Sequence, residues 1–308
     1  MRDATVMTAR GFGAGLRLLR SASAVIAVLM LVAGCATTGE QIEALAPPPG
    51  SPTKYSALVI DASSGATLYQ ANAMAARYPA SLTKMMTLYL LFEALDQGRV
   101  SKTTAIPVSS FAARQPPSRI GIKSGQTIDV ENAILALAVK SGNDCAVAVA
   151  EYLGGTEEQF AQQMTARARQ LGMTGTVFRN ASGLPDPDQR TTARDMAILG
   201  MALRSRFPQH FHYFSERDFN FRGRLVRGHN DMIGRVEGVD GIKTGYIKAS
   251  GYNVVTSVGR GSRRLIVVVM GANSARARNA HVEELIEKYM REPKPASLLS
   301  SLSPFDYA

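Results

Sequence analysis

Residues 78–92, with the sequence YPASLTKMMTLYLLF, place a single lysine at the start of a nearly continuous apolar run. From Leu82 to Phe92 the apolar side chains would cover every face of a helix, which is typical of a helix buried at the centre of a domain. We therefore predict a buried helix over residues 81–97. Lys84 lies inside this helix, although burying an ammonium group opposes its charge. The amine either extends to solvent or has a chemical use.

The chain on both sides of this helix predicts an α+β fold in a single domain. Residues 55–70 read as two strands around a Ser-Ser-Gly turn, and residues 251–259 and 264–272 read as two more strands. Strands from both chain ends would form one antiparallel sheet, with a helical block on one side. A further hairpin is predicted at 219–228, and helical patterns occur at 131–140, 144–153, 156–171, 192–204 and 276–290.

Composition limits the domain count and the kind of partner. The chain has 308 residues, of which 45% are hydrophobic, which is ample for a core. Its net charge is +10, but lysine and arginine are spread along the chain, and the densest basic patch, residues 260–264, is typical of a hairpin turn. We therefore predict no nucleic-acid partner. Residues 35–54 read as a polar, proline-rich tether and residues 291–308 as a loose tail.

Ser81 and Lys84 are three positions apart, so on a helix both side chains lie on one face, about a hydrogen bond from each other. At the start of a helix, backbone N–H groups and the helix dipole favour an oxyanion near the serine. A lysine kept neutral by apolar surroundings takes the proton of such a serine. The simpler alternative is a capping serine followed by a solvent-exposed lysine. Ser51 and Lys54 repeat the spacing, so the pattern alone is weak support.

Two further stretches support a reactive serine. Residues 140–145, KSGNDC, place Ser141 and Asn143 in a short break between two predicted helices, and residues 243–245, Lys-Thr-Gly, lie in a strand-like run. Each stretch has a simpler alternative: helix-capping residues for the first, and a solvent-facing lysine beside a bulge glycine for the second. The three patterns occur in the order S-x-x-K, S-x-N, K-T-G, which is improbable by coincidence.

In these three motifs the sequence resembles the penicillin-recognising serine enzymes. The wider contexts PASLTKMMT, SGNDCAVAVAE and VDGIKTGYIKASGYN are similar to those of low-molecular-mass D-alanyl-D-alanine carboxypeptidases. The resemblance runs from about Tyr55 to Met290. It implies a β-lactamase/transpeptidase-like fold, a catalytic D,D-peptidase domain at residues 55–290, and no cofactor.

The resemblance implies catalytic roles for five residues. Ser81 attacks the carbonyl group between the two terminal D-alanines of a peptidoglycan stem peptide, and water then hydrolyses the acyl-enzyme. Lys84 is the general base, and the positive charge of Lys243 helps to hold it deprotonated. Ser141 relays the proton to the leaving amine, and Asn143 hydrogen-bonds the substrate backbone. β-Lactam antibiotics are implied as inhibitors.

The resemblance also implies a set of substrate-binding residues on the predicted strand and on the last helix. The backbone N–H groups of Ser81 and Tyr246 would form the oxyanion hole, and an extended peptide would lie along residues 243–245 as an added strand. The implied substrate-binding residues are Lys243, Thr244, Gly245, Tyr246 and Arg278.

The C-terminal carboxylate of the substrate is expected to meet Lys243 and Thr244. Arg278, which opens the predicted last helix, matches the carboxylate-contacting arginine of the family, and Arg276 is a nearby rival for that role. Some relatives have histidine at the position of Tyr246, so deacylation is expected to differ here.

The other chemistry-bearing side chains have structural interpretations. Cys145 is expected to pack as a small hydrophobe. Gly183 and Leu184 would shape a loop that borders the cleft, and Asp195 would cap or brace a helix. The histidines lack the spacing of metal ligands, so we predict no metal site and expect surface or packing roles for His210, His212, His229 and His281.

The N-terminus predicts export. Arginines precede the apolar run 24–34, which is too short for a permanent membrane-spanning helix, so residues 1–34 read as a signal peptide. The run ends in Val-Ala-Gly-Cys, which resembles a bacterial lipobox and predicts a lipid on Cys35. The alternative is ordinary cleavage nearby, for example after Ala36. A lipid on Cys35 would anchor the protein in the bacterial periplasm, with Ala36 favouring the outer membrane.

Several functions are compatible with these motifs. The leading hypothesis is a carboxypeptidase that trims peptidoglycan stem peptides, and its close rival is a D,D-endopeptidase that cleaves cross-links. A serine β-lactamase is disfavoured because no glutamate between the second and third motifs is placed as its deacylating base. A non-enzymatic wall-binding protein is also disfavoured, because binding alone needs neither Ser81 nor Lys84. Typical relatives have a second, β-rich domain and a C-terminal anchor helix, and we expect a lipid on Cys35 to replace that anchor.

Overall fold

The computed structural model describes residues 54–291. The predicted signal peptide (1–34), the tether with Cys35 (35–54) and the tail (291–308) lie outside these residues, apart from Lys54 and Arg291 at the boundaries. No helix between residues 54 and 291 is both long enough and apolar enough to cross a bilayer.

The β-structure of residues 54–291 consists of nine strands. They are β1 (Ser56–Asp61), β2 (Thr67–Ala71), β3 (Ala105–Pro107), β4 (Thr127–Asp129), β5 (Asp218–Phe221), β6 (Arg224–Arg227), β7 (Val239–Ile247), β8 (Gly251–Arg260) and β9 (Arg263–Ala272). Five of them form an antiparallel sheet in the order β2-β1-β9-β8-β7. Ser56 of β1 lies opposite Met270 of β9. The predicted sheet from both chain ends is confirmed, and β7 is one of its edges.

Seven α-helices in the same range surround this sheet. They are α1 (Lys84–Asp96), α2 (Ser110–Ala113), α3 (Val130–Leu135), α4 (Asn143–Gly154), α5 (Glu157–Gln170), α6 (Ala193–Arg206) and α7 (Ala275–Arg291). Helices α1 to α6 form the predicted helical block on one face, whereas α7 packs on the other. The sequence predicts this last helix but not the face of the sheet on which it packs.

The sheet is buried on both faces, which explains its continuous apolar strands. In β9, Ile266 and Val268 belong to the core shared with the helical block, whereas Val267 and Val269 belong to the core shared with α7. Successive side chains of a strand point to opposite faces. A strand covered on both sides therefore loses the polar alternation of a half-exposed strand.

Helix α1 is the buried central helix that its sequence predicts. Every residue from Lys84 to Phe92 is buried. The helix begins at Lys84 and not at residue 81 as predicted, because Ala80–Thr83 form a 3-10 turn. Ala80 has a φ of 48°, outside the right-handed helical region. Ser81 therefore lies in the turn that leads into the helix.

The helix predicted at residues 131–140 changes its winding after Leu135. Its first half is α3, capped by the Asp129 side chain, which accepts a hydrogen bond from the Asn132 N–H group. Its second half, Ala136–Lys140, is a π-helical segment, a form that is frequent at functional sites. Ser141 then adopts a left-handed conformation with φ 63° and ψ 38°, which ends the segment. This joint places the second motif between two helices, as predicted.

Most other predicted elements are confirmed within two residues. The hairpin at 219–228 consists of β5 and β6, and the helices at 144–153, 156–171 and 192–204 are α4, α5 and α6. Asp195 braces its helix as predicted, because its carboxylate accepts hydrogen bonds from the Gly175 N–H and Thr176 hydroxyl groups. The ribbon of β3 and β4 and the short α2 were not predicted, since three or four residues carry no readable period.

Candidate active site

The three motifs meet in a cleft of about 320 Å³ at the edge of the sheet. The first motif contributes the 3-10 turn before α1, the second the joint between the π segment and α4, and the third the edge strand β7. Lys84 and Lys243 are buried next to the residues that line the cleft, with 0% and 2% of their surface exposed. The motif residues that line the cleft are Ser81, Ser141, Asn143, Thr244 and Gly245.

The Lys84 amine lies among three oxygen atoms. Its Nζ is 3.3 Å from the Ser81 Oγ, 2.7 Å from the Asn143 Oδ1 and 2.5 Å from the Ser182 backbone oxygen. A neutral amine has two hydrogens and one lone pair. If the two hydrogens are donated to Asn143 and Ser182, the lone pair faces the Ser81 hydroxyl. In this state Ser81 donates and Lys84 accepts, which is the arrangement of a serine beside its base.

The surroundings of Lys84 favour its neutral form. Burial lowers the pKa of the amine well below its ordinary value, and the positive charge of Lys243 lowers it further, against a smaller opposing effect of Asp144. Within residues 54–291 Lys84 forms no ion pair with a carboxylate. The burial that the sequence predicts for Lys84 is therefore present in the structure, and it favours the neutral amine.

Lys243 is perturbed in the same direction. Burial, followed by the positive charge of Arg278, lowers its pKa to about 7. Its ammonium group donates a hydrogen bond of 3.0 Å to the backbone oxygen of Thr244. Lys84, Lys243 and Arg278 are thus three basic side chains close to one cleft. An anionic group bound there would favour the charged forms of Lys243 and Arg278.

The second motif is held in an unusual backbone conformation. Ser141 is one of four non-glycine residues between residues 54 and 291 with a positive φ, and Ala80 beside Ser81 is another. Such conformations are strained and concentrate at functional sites. The Ser141 Oγ is buried without a hydrogen-bond partner in the described chain. It is available to a group that enters the cleft.

Asn143 is fixed by contacts on both sides of its amide. Its Oδ1 accepts from Lys84, and its Nδ2 donates to the Pro116 backbone oxygen at 2.9 Å. Next to it, the Asp144 carboxylate accepts from the backbone N–H groups of residues 120–122. These bonds attach the cleft wall at residues 116–122 to the start of α4.

Strand β7 packs closely against the turn that carries Ser81. A Cβ atom at Gly245 would lie 2.9 Å from the Ser81 nitrogen, so only glycine permits this approach without a shift. The side of β7 that faces the cleft has no strand partner within the five-stranded sheet. Its free backbone groups offer an extended peptide a place to pair.

The two candidates for the carboxylate-binding arginine differ in burial and in their position relative to the cleft. Arg278 lines the cleft, is 3% exposed and donates hydrogen bonds to the Asn279 Oδ1 and the Asn253 backbone oxygen. Burial lowers its pKa to about 10, which leaves it charged at neutral pH. Arg276 is exposed and does not line the cleft. Arg278, in the first turn of α7, therefore lies at the cleft, whereas Arg276 does not.

Tyr246 lies at the rim, 52% exposed, with its ring 4.3 Å from the ring of Tyr252. The predicted cleft-border loop is confirmed, because Gly183 and Leu184 line the cleft. The sequence did not indicate the main contact of this loop. The backbone oxygen of Ser182, next to Gly183, accepts a hydrogen bond from Lys84. His229 was also missed as a cleft residue. A lone exposed histidine and a backbone oxygen carry no sequence signal.

The fold and the cleft together are typical of one class of protein: serine hydrolases in which a buried lysine lies beside the serine. The sequence comparison agrees, because the family model described as D-alanyl-D-alanine carboxypeptidase matches residues 44–274. The chain belongs to this family. The predicted fold class is confirmed by solved structures of penicillin-binding proteins that share it.

Three relatives illustrate the likeness. D-alanyl-D-alanine carboxypeptidase DacF of Bacillus subtilis is 34% identical over 237 residues, which cover 75% of this chain and 61% of the relative. Penicillin binding protein 6B of Escherichia coli has a TM-score of 0.74 and 32% identity, covering 80% and 79% of the two chains. Penicillin-Binding Protein D2 of Listeria monocytogenes, in its cefotaxime-bound form, has a TM-score of 0.69 and 30% identity, covering 75% and 95%. This chain thus spans about three fifths of the Bacillus relative.

Proposed function

We propose that the protein is a serine-type D-alanyl-D-alanine carboxypeptidase that removes the terminal D-alanine from peptidoglycan stem peptides through an acyl-enzyme on Ser81. One observation carries the proposal: the buried Lys84 amine lies 3.3 Å from the Ser81 hydroxyl, without a carboxylate partner in the described chain. A structural lysine would extend to solvent or pair with an acid. A neutral lysine beside a serine is a means of activating the hydroxyl.

Acylation begins with the transfer of the Ser81 proton to Lys84. The serine oxygen attacks the carbonyl carbon of the penultimate D-alanine, and the backbone N–H groups of Ser81 and Tyr246 stabilise the oxyanion. The close packing of Gly245 on the Ser81 nitrogen supports this assignment, because it brings the backbone of β7 beside the serine. The peptide then lies along the free edge of β7.

Departure of the leaving group needs a proton and an anchor. Ser141, whose Oγ is buried and unpartnered within residues 54–291, relays the proton from Lys84 to the amine. Lys243, Thr244 and Arg278 hold the C-terminal carboxylate of the substrate, and Asn143 orients its backbone. The C–N bond breaks, D-alanine leaves, and water hydrolyses the ester on Ser81.

β-Lactams would acylate the same serine, as inhibitors. The cefotaxime and ampicillin forms of the Listeria relative support this for a related cleft. The test is covalent labelling by a fluorescent penicillin, together with release of D-alanine from a short peptide that ends in D-Ala-D-Ala. Ser81→Ala and Lys84→Ala should abolish both signals, whereas Ser51→Ala, in the second S-x-x-K copy, should change neither. Labelling that survives Ser81→Ala would disprove the proposal.

The same proposal places the protein in the bacterial cell envelope, in the periplasm. The positively charged N-terminus, the short apolar run and the Val-Ala-Gly-Cys sequence support export and a lipid on Cys35. The substrate supports the same location, since peptidoglycan is assembled and remodelled outside the cytoplasmic membrane.

A further inference from the structure

A largely buried segment between α5 and α6 supplies one of the three contacts of the Lys84 amine. We call residues 180–184 the Ser182 loop. In this loop the Ser182 backbone oxygen accepts the hydrogen bond of 2.5 Å from Lys84. Since this contact uses a backbone atom, its geometry depends on what holds the loop and not on the side chain of Ser182.

The residue before Ser182 is held through both of its backbone polar groups. The Ala181 N–H group donates a hydrogen bond of 2.9 Å to the carboxylate of Glu157, the first residue of α5. The Ala181 backbone oxygen accepts a hydrogen bond of 2.7 Å from the hydroxyl group of Thr87 in α1. Thr87 lies one turn after Lys84 on the same helix. Ala181 is therefore clamped between α5 and the helix that carries the proposed base.

The remaining hydrogen bonds of the Ser182 loop differ in kind. The Asn180 Oδ1 accepts from the N–H groups of Ser182 and Gly183, at 3.3 and 2.7 Å, and these bonds shape the loop internally. Within residues 54–291, the helix residues that hydrogen-bond the loop are Lys84, Thr87 and Glu157. Apart from the amine itself, the last two attach the loop to the helical block.

The Glu157 carboxylate has no cation as a partner. Within residues 54–291 it forms no ion pair, and its one hydrogen bond there is the bond from Ala181. The side chain is partly buried at the start of α5, where the helix dipole favours a negative charge. Withdrawing a carboxylate from water without a cation is costly. The contact for which Glu157 is withdrawn leads through one residue to the base.

Glu157 and Lys84 also interact through their charges. The negative charge of Glu157 raises the pKa of Lys84, although burial and Lys243 lower it more strongly. Burial in turn raises the pKa of the Glu157 carboxyl, against the hydrogen bond from Ala181, which lowers it. Two acidic neighbours raise this pKa further, and the charge of Lys84 lowers it; the neighbours are Glu158 on α5 and Glu151 on α4.

We propose that Glu157 is a positioning residue for the acylation of Ser81. Its carboxylate holds Ala181, and thereby the Ser182 oxygen. That oxygen takes one hydrogen of the Lys84 amine, which leaves the lone pair facing Ser81. This inference rests on the proposed function, because it needs Lys84 as the base. Glu157 does not line the cleft, so it acts on the reaction only through the loop and through its charge.

Two substitutions separate the position of the carboxylate from its charge. Glu157→Asp keeps the charge but is one methylene shorter, so either the bond to Ala181 breaks or the loop moves towards α5. Glu157→Gln loses the charge but keeps a side-chain oxygen that accepts from Ala181. Both side chains are compatible with the start of a helix, so both variants should fold.

The test measures the rate constant of covalent penicillin labelling as a function of pH, on the full-length protein. In Glu157→Asp the maximal rate constant should fall about ten-fold, because the base is displaced. In Glu157→Gln it should stay within about two-fold of the wild type, since the hydrogen bond persists. The acidic limb of Glu157→Gln should move to lower pH, because the charge that raises the pKa of Lys84 is gone.

The matched control is Glu158→Asp, which shortens the next side chain of α5 by the same methylene. Glu158 is exposed and has no hydrogen bond or ion pair within residues 54–291, so its rate constant and its acidic limb should be those of the wild type. The labelled fraction and the melting temperature are measured beside the rate constant. A purely structural role would lower these two and leave the rate constant of the folded protein unchanged.

The outcomes separate this inference from the proposed function. If Glu157→Asp labels with the wild-type rate constant, or if Glu157→Gln loses as much as Glu157→Asp, the inference fails. The proposed function then still stands, provided that the wild type labels and releases D-alanine. If the wild type does neither, both proposals fail.

Discussion

Lys84 and Asn143, 59 positions apart in the chain, meet at 2.7 Å between Nζ and Oδ1. The bond joins the first motif to the second and helps to hold the amine beside Ser81. Because the same asparagine also donates to Pro116, its amide cannot turn without breaking a second hydrogen bond. The position of the base therefore depends on the loop that forms the cleft wall.

The pH dependence of acylation should show how the charge of Lys243 affects the pKa of the Lys84 amine. Acylation needs neutral Lys84, so its rate rises as pH rises through the pKa of that amine. The charge of Lys243 lowers this pKa. In Lys243→Met the nearby charge is gone, the pKa of Lys84 rises, and the acidic limb of the profile moves to higher pH. The measurement is the rate of penicillin labelling as a function of pH.

The control for this experiment is Lys248→Met, an exposed lysine directly after β7. It should leave the acidic limb where it is in the wild type. A profile of Lys243→Met that keeps the wild-type limb would show that Lys243 does not influence the base. The alkaline side is informative as well. With a pKa of about 7, Lys243 loses its charge above neutrality, so carboxylate binding should weaken there.

Gly183→Ala should damage both the fold and the site. Gly183 has a φ of 84°, and a Cβ there would overlap the backbone oxygen of Ala80, beside the nucleophile. Positive φ alone destabilises an alanine by about 1 kcal/mol, and the overlap should raise the total to about 3 kcal/mol. The movement would also displace the Ser182 oxygen from Lys84. Thermal unfolding and penicillin labelling measure the two effects.

Gly172→Ala separates the cost of a positive φ from the cost of steric overlap. Gly172 has a φ of 81°, yet a Cβ there would meet nothing within 4 Å. The melting temperature should fall by about 3 °C, with labelling unchanged. Equal losses of stability in the two variants would show that the contact between residues 183 and 80 contributes nothing.

Arg278→Ala should weaken recognition of the C-terminal carboxylate. Loss of a buried charge partner should lower kcat/KM for a D-Ala-D-Ala peptide about a hundred-fold. The same peptide with an amidated C-terminus should be affected much less. Arg276→Ala should change neither rate, because Arg276 is exposed and outside the cleft. A larger effect of Arg276→Ala than of Arg278→Ala would reverse the assignment.

Cys35→Ser should release the protein from the membrane fraction of cells. Two or more acyl chains on one cysteine hold a protein stably at a bilayer, whereas the unmodified chain lacks that anchor. Cys145→Ala is the matched control: Cys145 is a buried, free thiol and its loss should not change fractionation. Membrane association that persists in Cys35→Ser would contradict the lipid assignment.

The sequence predicts the parts of the site that depend on side-chain identity. Ser81, Lys84, Asn143 and Lys243 are in motifs, and an apolar run around a lysine is visible without a structure. The Ser182 oxygen is different: it is a backbone atom, 98 positions from its partner, and any residue type supplies one. The same limit applies to local conformation at the second motif. Serine has no preference for a positive φ, so only the surrounding fold imposes it on Ser141.

The fold shows a similar division. Long elements such as α1 and β9 have a clear apolar pattern, and their positions are predicted well. The winding of residues 136–140 is not, because a single π-helical turn of five residues is too short to show a period of its own in the sequence. The sequence also does not indicate which helix covers the second face of the sheet. A continuously apolar strand shows that both of its faces are covered, but not by which element.

The pairing of β1 with β9 determines when the sheet can be completed during biogenesis. In the export proposed above, β1 would leave the channel first and would gain its second neighbour, β9, only after residue 270 has followed it. An isolated two-stranded hairpin is marginal in water, so the sheet stays incomplete during most of translocation. The edge strand that carries Lys243 is positioned only when the late strands arrive. The proposed peptidase activity would thus be withheld until residue 270 and nearly all of the chain before it have been exported.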